Sequence, residues 1–338
     1  MVDSMIIIPV LASFFVTLFL LSYWIRKMHE VGLEWEDMNK FRGKKVAGSG
    51  GVMVVLGFLI GTLLYIAYMV FYLGLEDGFL VEIFSLLTVL LILTLVGLID
   101  DLLGWRKGGL AIRSRLILVL VSAIPLMVIN SGADSMSFPF LGSVHLGIIY
   151  PLLLIPLGIV GATTTYNFLA GFNGLEAGQG MLLLSALAVV AYMTGSPWLA
   201  VIAICMVAAL LAFLIYNFSP ALVFPGDSLT YVVGGLIAIM AILGNFEKIA
   251  VFFFIPYIIE TVLKSRGKLK KQSFGKPGKD GSLSQRYDKI YSLNHVAIVL
   301  MEKVRIKPTE IKVVLFVWIF QVLIIVAGFM LFWEGLFL

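Results

Sequence analysis

The stretch VEIFSLLTVLLILTLVGLIDDLLGWR, residues 81–106, decides the fold. Its first part, 81–99, carries one charged residue, Glu82, and is long enough as a helix to cross a hydrocarbon core about 30 Å thick. The apolar residues run on without the alternation of a membrane β-strand. The segment therefore reads as a transmembrane helix, which satisfies its own backbone in lipid. It then stops on two adjacent carboxylates, Asp100 and Asp101. Like charges side by side at a membrane boundary repel and lose hydration, which is costly. They read either as a solvated helix end or as a magnesium-associated or proton-accepting pair.

Working outward, further apolar runs lie near 5–25, 51–73, 116–130, 147–165, 179–194, 198–217, 229–244, 249–263 and 311–333. Together they give about ten transmembrane helices. The expected fold class is an all-α polytopic membrane protein, one catalytic unit over 1–338 with no separate soluble domain. Composition agrees: 61% of the 338 residues are hydrophobic and 13% charged, and the mean hydropathy is +1.06. A soluble core of this size has no use for so much apolar surface. The run 5–25 lacks a basic leader and a small-residue cleavage site, so it reads as a retained first span. The single cysteine, Cys205, excludes disulfide frameworks, and His29, His145 and His295 show no zinc spacing.

Of the 24 Lys and Arg, all but Lys248 and Lys312 fall in 26–48, 100–115 and 264–308. In a ten-span arrangement these loops share one side, which the positive-inside rule makes cytoplasmic, with both termini outside. A plasma membrane is the expected location. Within 264–308, the residues Ile290, Leu293, Ala297, Leu300 and Val304 are spaced as the apolar stripe of an interfacial amphipathic helix. The basic run 264–271 suits anionic headgroups, so membrane lipids are expected neighbours. Glu260, late in the ninth span, reads as a snorkelling acid paired with Lys264 or as a group facing a wet cavity.

The unusual polar residues gather on the same face. After Asp100 and Asp101 come Arg106, Lys107, Arg113 and Arg115, which suit a polyanionic substrate. TTTYNFLAGFNGLEAGQG, 163–180, places Asn167, Asn173 and Glu176 at a helix end among glycines that permit close backbone approach, Gly171 included. A helix stop explains one Asn and one Gly but not this density. NFSPALVFPGDSLTYVVGG, 217–235, sets Asp227 at the start of a span, as a helix cap, a metal ligand or both. Phe224 offers an aromatic face for a base, or an interfacial anchor. The inventory fits Mg²⁺ with a diphosphate. No nucleophilic Ser/His/Asp set, Walker loop or dinucleotide fingerprint accompanies it. Nucleic acid is not an expected partner.

These motifs resemble the polyprenyl-phosphate N-acetylhexosamine-1-phosphate transferases, nearest the branch that uses UDP-GlcNAc and dolichyl phosphate. NFLAGFNGLEAGQG is similar to that branch's signature, DDLLGWR to its acidic pair, VFPGDSLTYVVGG to its aromatic–Gly–Asp element, and DMNK at 37–40 to its first cytoplasmic loop. The resemblance implies that Asn167 and Asp227 ligate Mg²⁺, with Mn²⁺ as a substitute. It implies that Gly171, Asn173 and Phe224 hold the uridine of a UDP-N-acetylhexosamine. Asp100 and Asp101 would sit at the phosphates and the polyprenyl or dolichyl phosphate acceptor. Glu176 occupies an acidic position of the signature, Arg115 stands where a phosphate-binding Lys is common, and Lys45 or Lys44 replaces a basic residue of the first loop. A homodimer is carried as an expectation.

The 264–308 segment departs from the family. It reads KQSFGKPGKDGSLSQRY where relatives carry a His–Arg or His-rich motif, which leaves sugar identity open and argues against a muramyl-pentapeptide donor. The implied reaction is in-line attack of a lipid phosphate on the sugar-linked phosphorus, with UMP leaving. It rests on positioning and charge neutralisation rather than a strong base. A transporter is the rival of another class, but the polar groups collect at one face without midplane acids or an inverted repeat. A CDP-alcohol transferase would show a run of Asp at helical spacing that is missing here.

Overall fold

The decisive stretch becomes α3 (Phe79–Lys107), a helix roughly 40 Å long by its rise per residue. It therefore spans the hydrocarbon and carries its last turns beyond it. A computed structural model describes residues 4–74, 79–132, 135–138 and 142–333. Among these, seven helices are long and apolar enough to cross a membrane: Ile7–Val31, Gly51–Tyr72, Phe79–Trp105, Leu175–Met193, Pro197–Asn217, Gly226–Leu243 and Glu310–Phe332. The protein is an all-α integral membrane protein. These spans contain α1 (Ile7–Val31), α2 (Gly51–Ala67), α3, α7 (Leu175–Met193), α8 (Pro197–Asn217), α9 (Gly226–Leu243) and α13 (Glu310–Phe332).

The other three expected segments are helical too; two are broken near a proline, and the third is continuous but changes its winding. One is α4 (Ile112–Ser122) followed by α5 (Ile124–Val128), with Pro125 in the first turn of α5. Another is a π-helical turn, Tyr150–Leu154, running into α6 (Ile155–Tyr166), with Pro151 and Pro156 at the two starts. The last is α10 (Glu247–Phe253) and α11 (Ile255–Arg266), divided at Phe254 just before Pro256. Proline lacks the N–H that a continuing helix needs and suits a first turn instead.

Helix α9 is the axis. Every residue from Ser228 to Leu243 is buried, so it is apolar all round, as a central helix must be. It packs against α3, α6 and α2, while α7, α8 and α1 form the adjoining wall. The crossing with α3 is close at Gly97, where a Cβ would lie 2.5 Å from the Ser228 nitrogen. That approach sets the end of α3 against the start of α9.

The loops on the face of this end are tied by short strands and cross-loop hydrogen bonds. Strands β1 (Glu34–Glu36) and β2 (Lys45–Ala47) form a hairpin, and Phe224 N–H donates to the Ala47 carbonyl at 2.8 Å. A second pair, β3 (Ser135–Phe138) with β4 (Gly142–His145), lies at the opposite end, on the connection before α6. A third, β5 (Lys276–Pro277) with β6 (Leu283–Ser284), precedes α12 (Leu293–Lys303). The stripe expected on α12 divides: Leu293 and Ala297 are buried with Ile298 and Met301, while Leu300 and Val304 are exposed. Glu260 does not snorkel. It is fully buried and accepts the Leu293 N–H at 2.7 Å, meeting an open donor at the start of α12.

Candidate active site

Asp101 lies in the last turns of α3 and faces the first turn of α9. It accepts the Asp227 N–H at 2.7 Å and the Ser228 hydroxyl at 3.2 Å. A carboxylate there satisfies donors that a helix start leaves open and meets the positive end of its dipole. Gly226 permits this: its φ is +70°, and a Cβ would stand 2.2 Å from Asp101 Oδ2.

Asp100 points elsewhere. It is almost wholly buried and accepts from Leu110 N–H at 2.7 Å, Tyr231 hydroxyl at 3.2 Å and Arg115 at 2.6 Å. Arg115 reaches Asp227 more distantly, at 3.9 Å.

Helix α6 ends at Tyr166 and delivers Asn167 to the same corner. Asn167 Nδ2 donates to Asp227 Oδ1 at 3.1 Å, and Thr230 hydroxyl donates to Asn167 Oδ1 at 3.2 Å. The turn that follows is held through its backbone. Glu176 accepts Gly171 N–H at 2.8 Å, Glu310 accepts Asn173 N–H at 3.0 Å and Asn217 Oδ1 accepts Gly174 N–H at 3.0 Å. Glu176 thus fixes the shape of the turn from a buried position.

These groups surround a cavity of about 440 Å³. Of the residues expected from the sequence, Asp101, Asn167, Gly171, Asn173, Glu176, Phe224 and Asp227 line it. Asp100 and Arg115 stand behind that lining as a linked pair. Lys45 is not brought there: its side chain is 76% exposed and lies 3.8 Å from Glu34. Strand alternation is the reason, since Val46 takes the inward position of β2. The side chains of Arg106 and Lys107 lie outside the described residues.

The cavity also has walls to which motif reading assigns no role. Trp35, Asp37, Met38 and Phe274 line it, and the Phe274 ring lies so close to Gly171 that a Cβ there would meet it at 2.7 Å. Burial, with the Glu310 carboxylate adding to it, pushes the Asp37 carboxyl above its ordinary value despite hydrogen bonds from Asn173 and Asn39. Asp37 and Asn39 belong to the quoted DMNK stretch. Their polarity beside a short hairpin was a signal, but their partners are 132 and more residues away. Phe274 carried no such signal among ordinary loop residues.

A second, apolar cavity of about 430 Å³ lies between α6, α9, α10 and α11. It runs from Tyr150 and Glu247, which are hydrogen-bonded to each other, past Gly158 and Gly161 to Thr165. Thr165 is two residues before Asn167, so the groove and the polar cavity both draw on the end of α6.

The donor set at that corner fits a hard cation. The Asn167 amide nitrogen and Asp227 oxygen are 3.1 Å apart. Turning the amide over would present two oxygens at about the spacing of neighbouring ligands on an octahedral ion with bonds of ~2.1 Å. Two protein ligands suit Mg²⁺, which keeps waters and takes substrate phosphates for the rest. Among the described residues no cluster of three or more His, Cys, Asp or Glu is placed to hold a metal unaided.

The sequence compares with known proteins over most of its length. Residues 83–245 match the model of glycosyl transferase family 4. A Sulfolobus acidocaldarius protein, provisionally named UDP-N-acetylglucosamine–dolichyl-phosphate N-acetylglucosaminephosphotransferase, is 32% identical over 94% of this chain and 93% of its own. A Dictyostelium discoideum protein of that name is 31% identical over 68% of this chain and 64% of its own. A phospho-N-acetylmuramoyl-pentapeptide-transferase from a Geobacillus species is 30% identical over 78% and 82% respectively.

Proposed function

The chain belongs to glycosyl transferase family 4, and from that premise we propose that it transfers N-acetylglucosamine-1-phosphate from UDP-GlcNAc to a polyprenyl phosphate of the dolichyl type. UMP is released, and the lipid-diphosphate sugar starts glycan assembly. One observation carries this reading: a polar cavity lined by Asp101, Asn167 and Asp227 and an apolar groove reaching Thr165 are both built on the same end of α6. A soluble, charged donor and a lipid acceptor with an anionic head need such a junction.

Asn167 and Asp227 would hold Mg²⁺, which supplies charge neutralisation at the diphosphate when bound. Asp101 fixes the start of α9 and with it the position of Asp227. Asp100 holds the Arg115 guanidinium beside Asp227, where it meets developing phosphate charge. Phe224 and the turn at Gly171 and Asn173 take the uridine. The isoprenoid lies along the groove past Gly161, and its phosphate oxygen attacks the sugar-linked phosphorus. One phosphoanhydride forms as another breaks, and UMP departs with the electron pair. The nucleophile is already anionic, so positioning carries the catalysis.

The face with the site is proposed to be cytoplasmic, in a plasma membrane, with both termini outside. The concentration of Lys and Arg in 26–48, 100–115 and 264–308 supports that orientation. A second reading keeps the chemistry with another UDP-N-acetylhexosamine, favoured by the Geobacillus relative.

The test is a donor panel on the purified full chain in nanodiscs: UDP-GlcNAc, UDP-GalNAc and UDP-MurNAc-pentapeptide, each with polyprenyl phosphates. UMP release from UDP-GlcNAc that depends on the lipid supports the proposal. Release from another donor alone selects the second reading, and no release from any donor sinks both.

A further inference from the structure

The stretch Gly48-Ser49-Gly50-Gly51 enters α2 through a tight passage. A Cβ at Gly48 would overlap the Trp35 ring at 1.6 Å, and one at Gly51 would lie 2.4 Å from the Leu229 nitrogen of α9. The passage is also tied along its length. Trp24 Nε1 donates to the Gly48 carbonyl at 2.9 Å. The Gly50 and Gly51 N–H groups donate to the carbonyls of Phe224 and Pro225, each at 2.9 Å. Glycine stands on both sides, yet the one left-handed residue of the four, at φ +54°, is Ser49.

A left-handed backbone strains a residue that carries a Cβ and suits glycine. Such strain persists where the surroundings over-determine it, and it gathers at ligand sites. What the chain retains there is a single hydroxyl. Ser49 is 1% exposed, and its Oγ has no hydrogen-bond partner. It stands near the Asp101 carboxylate without closing a hydrogen bond. That carboxylate is already met by the Asp227 N–H and the Ser228 hydroxyl. The Ser49 proton is therefore uncommitted, on a residue that lines the polar cavity. Its neighbour Gly50 is bonded to Phe224 and the carboxylate beside it to Asp227, so Ser49 lies between the aromatic wall and the acidic corner.

We propose that Ser49 is a further substrate-contacting residue, whose hydroxyl turns about its one side-chain torsion to donate to a phosphate oxygen of the bound uridine nucleotide. With the base at Phe224 and the diphosphate at Asn167 and Asp227, the nucleotide's phosphate passes this hydroxyl. It supplies the acceptor that the protein withholds, and a hydroxyl bonds an anionic oxygen strongly. The inference rests on the uridine-nucleotide reading above and adds an uncharged donor to it.

The experiment measures binding to the full chain in nanodiscs, of UMP by calorimetry and of uridine by saturation-transfer NMR, with a thermal melt for each variant. Ser49→Ala removes the hydroxyl and keeps the Cβ, whereas Ser49→Gly removes the strain as well. In both, UMP should bind about tenfold or more weakly, the scale of one hydrogen bond to a charged group. Uridine, which has no phosphate, should keep its affinity within about twofold. The loss should persist in excess chelator, because the hydroxyl meets the phosphate itself. Neither variant should melt lower: alanine deletes a buried hydroxyl without a partner, and glycine relieves the backbone. Unchanged UMP affinity in either variant overturns the proposal, and so does an equal loss for uridine. A loss confined to Mg²⁺-loaded protein, or a lower melting temperature in both variants, would make Ser49 a support of Asp101 and overturn the direct contact. If the unaltered chain binds no UMP, the nucleotide reading falls and this inference with it. Failure of transfer is a separate result: a phosphate-specific loss without lipid-dependent UMP release in the unaltered chain would remove the transferase reading and leave the Ser49 contact standing.

Discussion

Asp100 and Asp101 are neighbours on one helix with different partners. A helix turns about 100° per residue, so adjacent side chains diverge. Asp101 meets the first turn of α9, whereas Asp100 meets Arg115, Leu110 and Tyr231. If Asp100 acts through Arg115, removing either should cost about the same as removing both. Asp100→Asn and Arg115→Gln should each slow UMP release by about tenfold or more, the range for losing one charge-stabilising contact. The double variant should fall little below the slower single one; rates that multiply would separate their roles. Asp227→Asn acts at the neighbouring carboxylate, which Arg115 also approaches. It removes a charged ligand while keeping the size of the side chain, so turnover should drop on the order of a hundredfold or more, with little change in the thermal melt. Excess chelator should stop the unaltered protein, and added Mg²⁺ should restore it. Turnover near normal in Asp227→Asn would remove this residue from the metal site. The sequence made these acids and Asn167 visible because charge and carboxamide are conspicuous after apolar runs. It hid Asp37, Asn39 and Glu310 as site formers, because their partners come only from folding.

At the scale of elements, proline separates what hydropathy runs together. The segments near 116–130, 147–165 and 249–263 read as spans of the same kind as α3, yet two are broken and the third passes from π to α winding. An apolar average over a window is blind to one missing N–H, while the backbone is not. Two of these segments, α6 with its π-turn and α10 with α11, flank the apolar groove with α9. The groove's two glycines, Gly158 and Gly161, leave its floor open. A Cβ at Gly161 would meet nothing within 4 Å, so Gly161→Leu should fold, and leucine also favours helix more than glycine does. The added side chain should instead occupy acceptor space. The KM for polyprenyl phosphate should rise about tenfold, the scale of displacing a few buried methylenes, while UMP affinity stays unchanged. A steady-state titration of the lipid at saturating UDP-GlcNAc reads this directly. An unaltered lipid KM would place the acceptor elsewhere.

For the whole molecule, chain direction and charge must agree. Fold class and the clustering of polar motifs on one face could be read early, because both follow from where apolar runs stop. The count of crossings could not: among the described residues seven helices qualify by length and composition, and the other three apolar segments are shorter or broken. Orientation is therefore best tested by access rather than by counting. The native Cys205 is fully buried inside α8 and should stay silent toward a membrane-impermeant maleimide. Ser284, on β6 in the basic 264–308 segment, is exposed, and so is Thr194 at the end of α7. Both are small polar positions where cysteine fits. Helix α7 begins at the active-site turn and runs its length before Thr194, so the two positions lie on opposite sides. If basic loops remain in the cytoplasm, Ser284→Cys should react in inside-out vesicles and be protected in right-side-out ones. Thr194→Cys should show the reverse. Reversal of both patterns would turn the site outward, where a nucleotide-sugar donor made inside the cell could not reach it. Labelling of both positions from the same side would break the link between this topology and a donor site facing the cytoplasm.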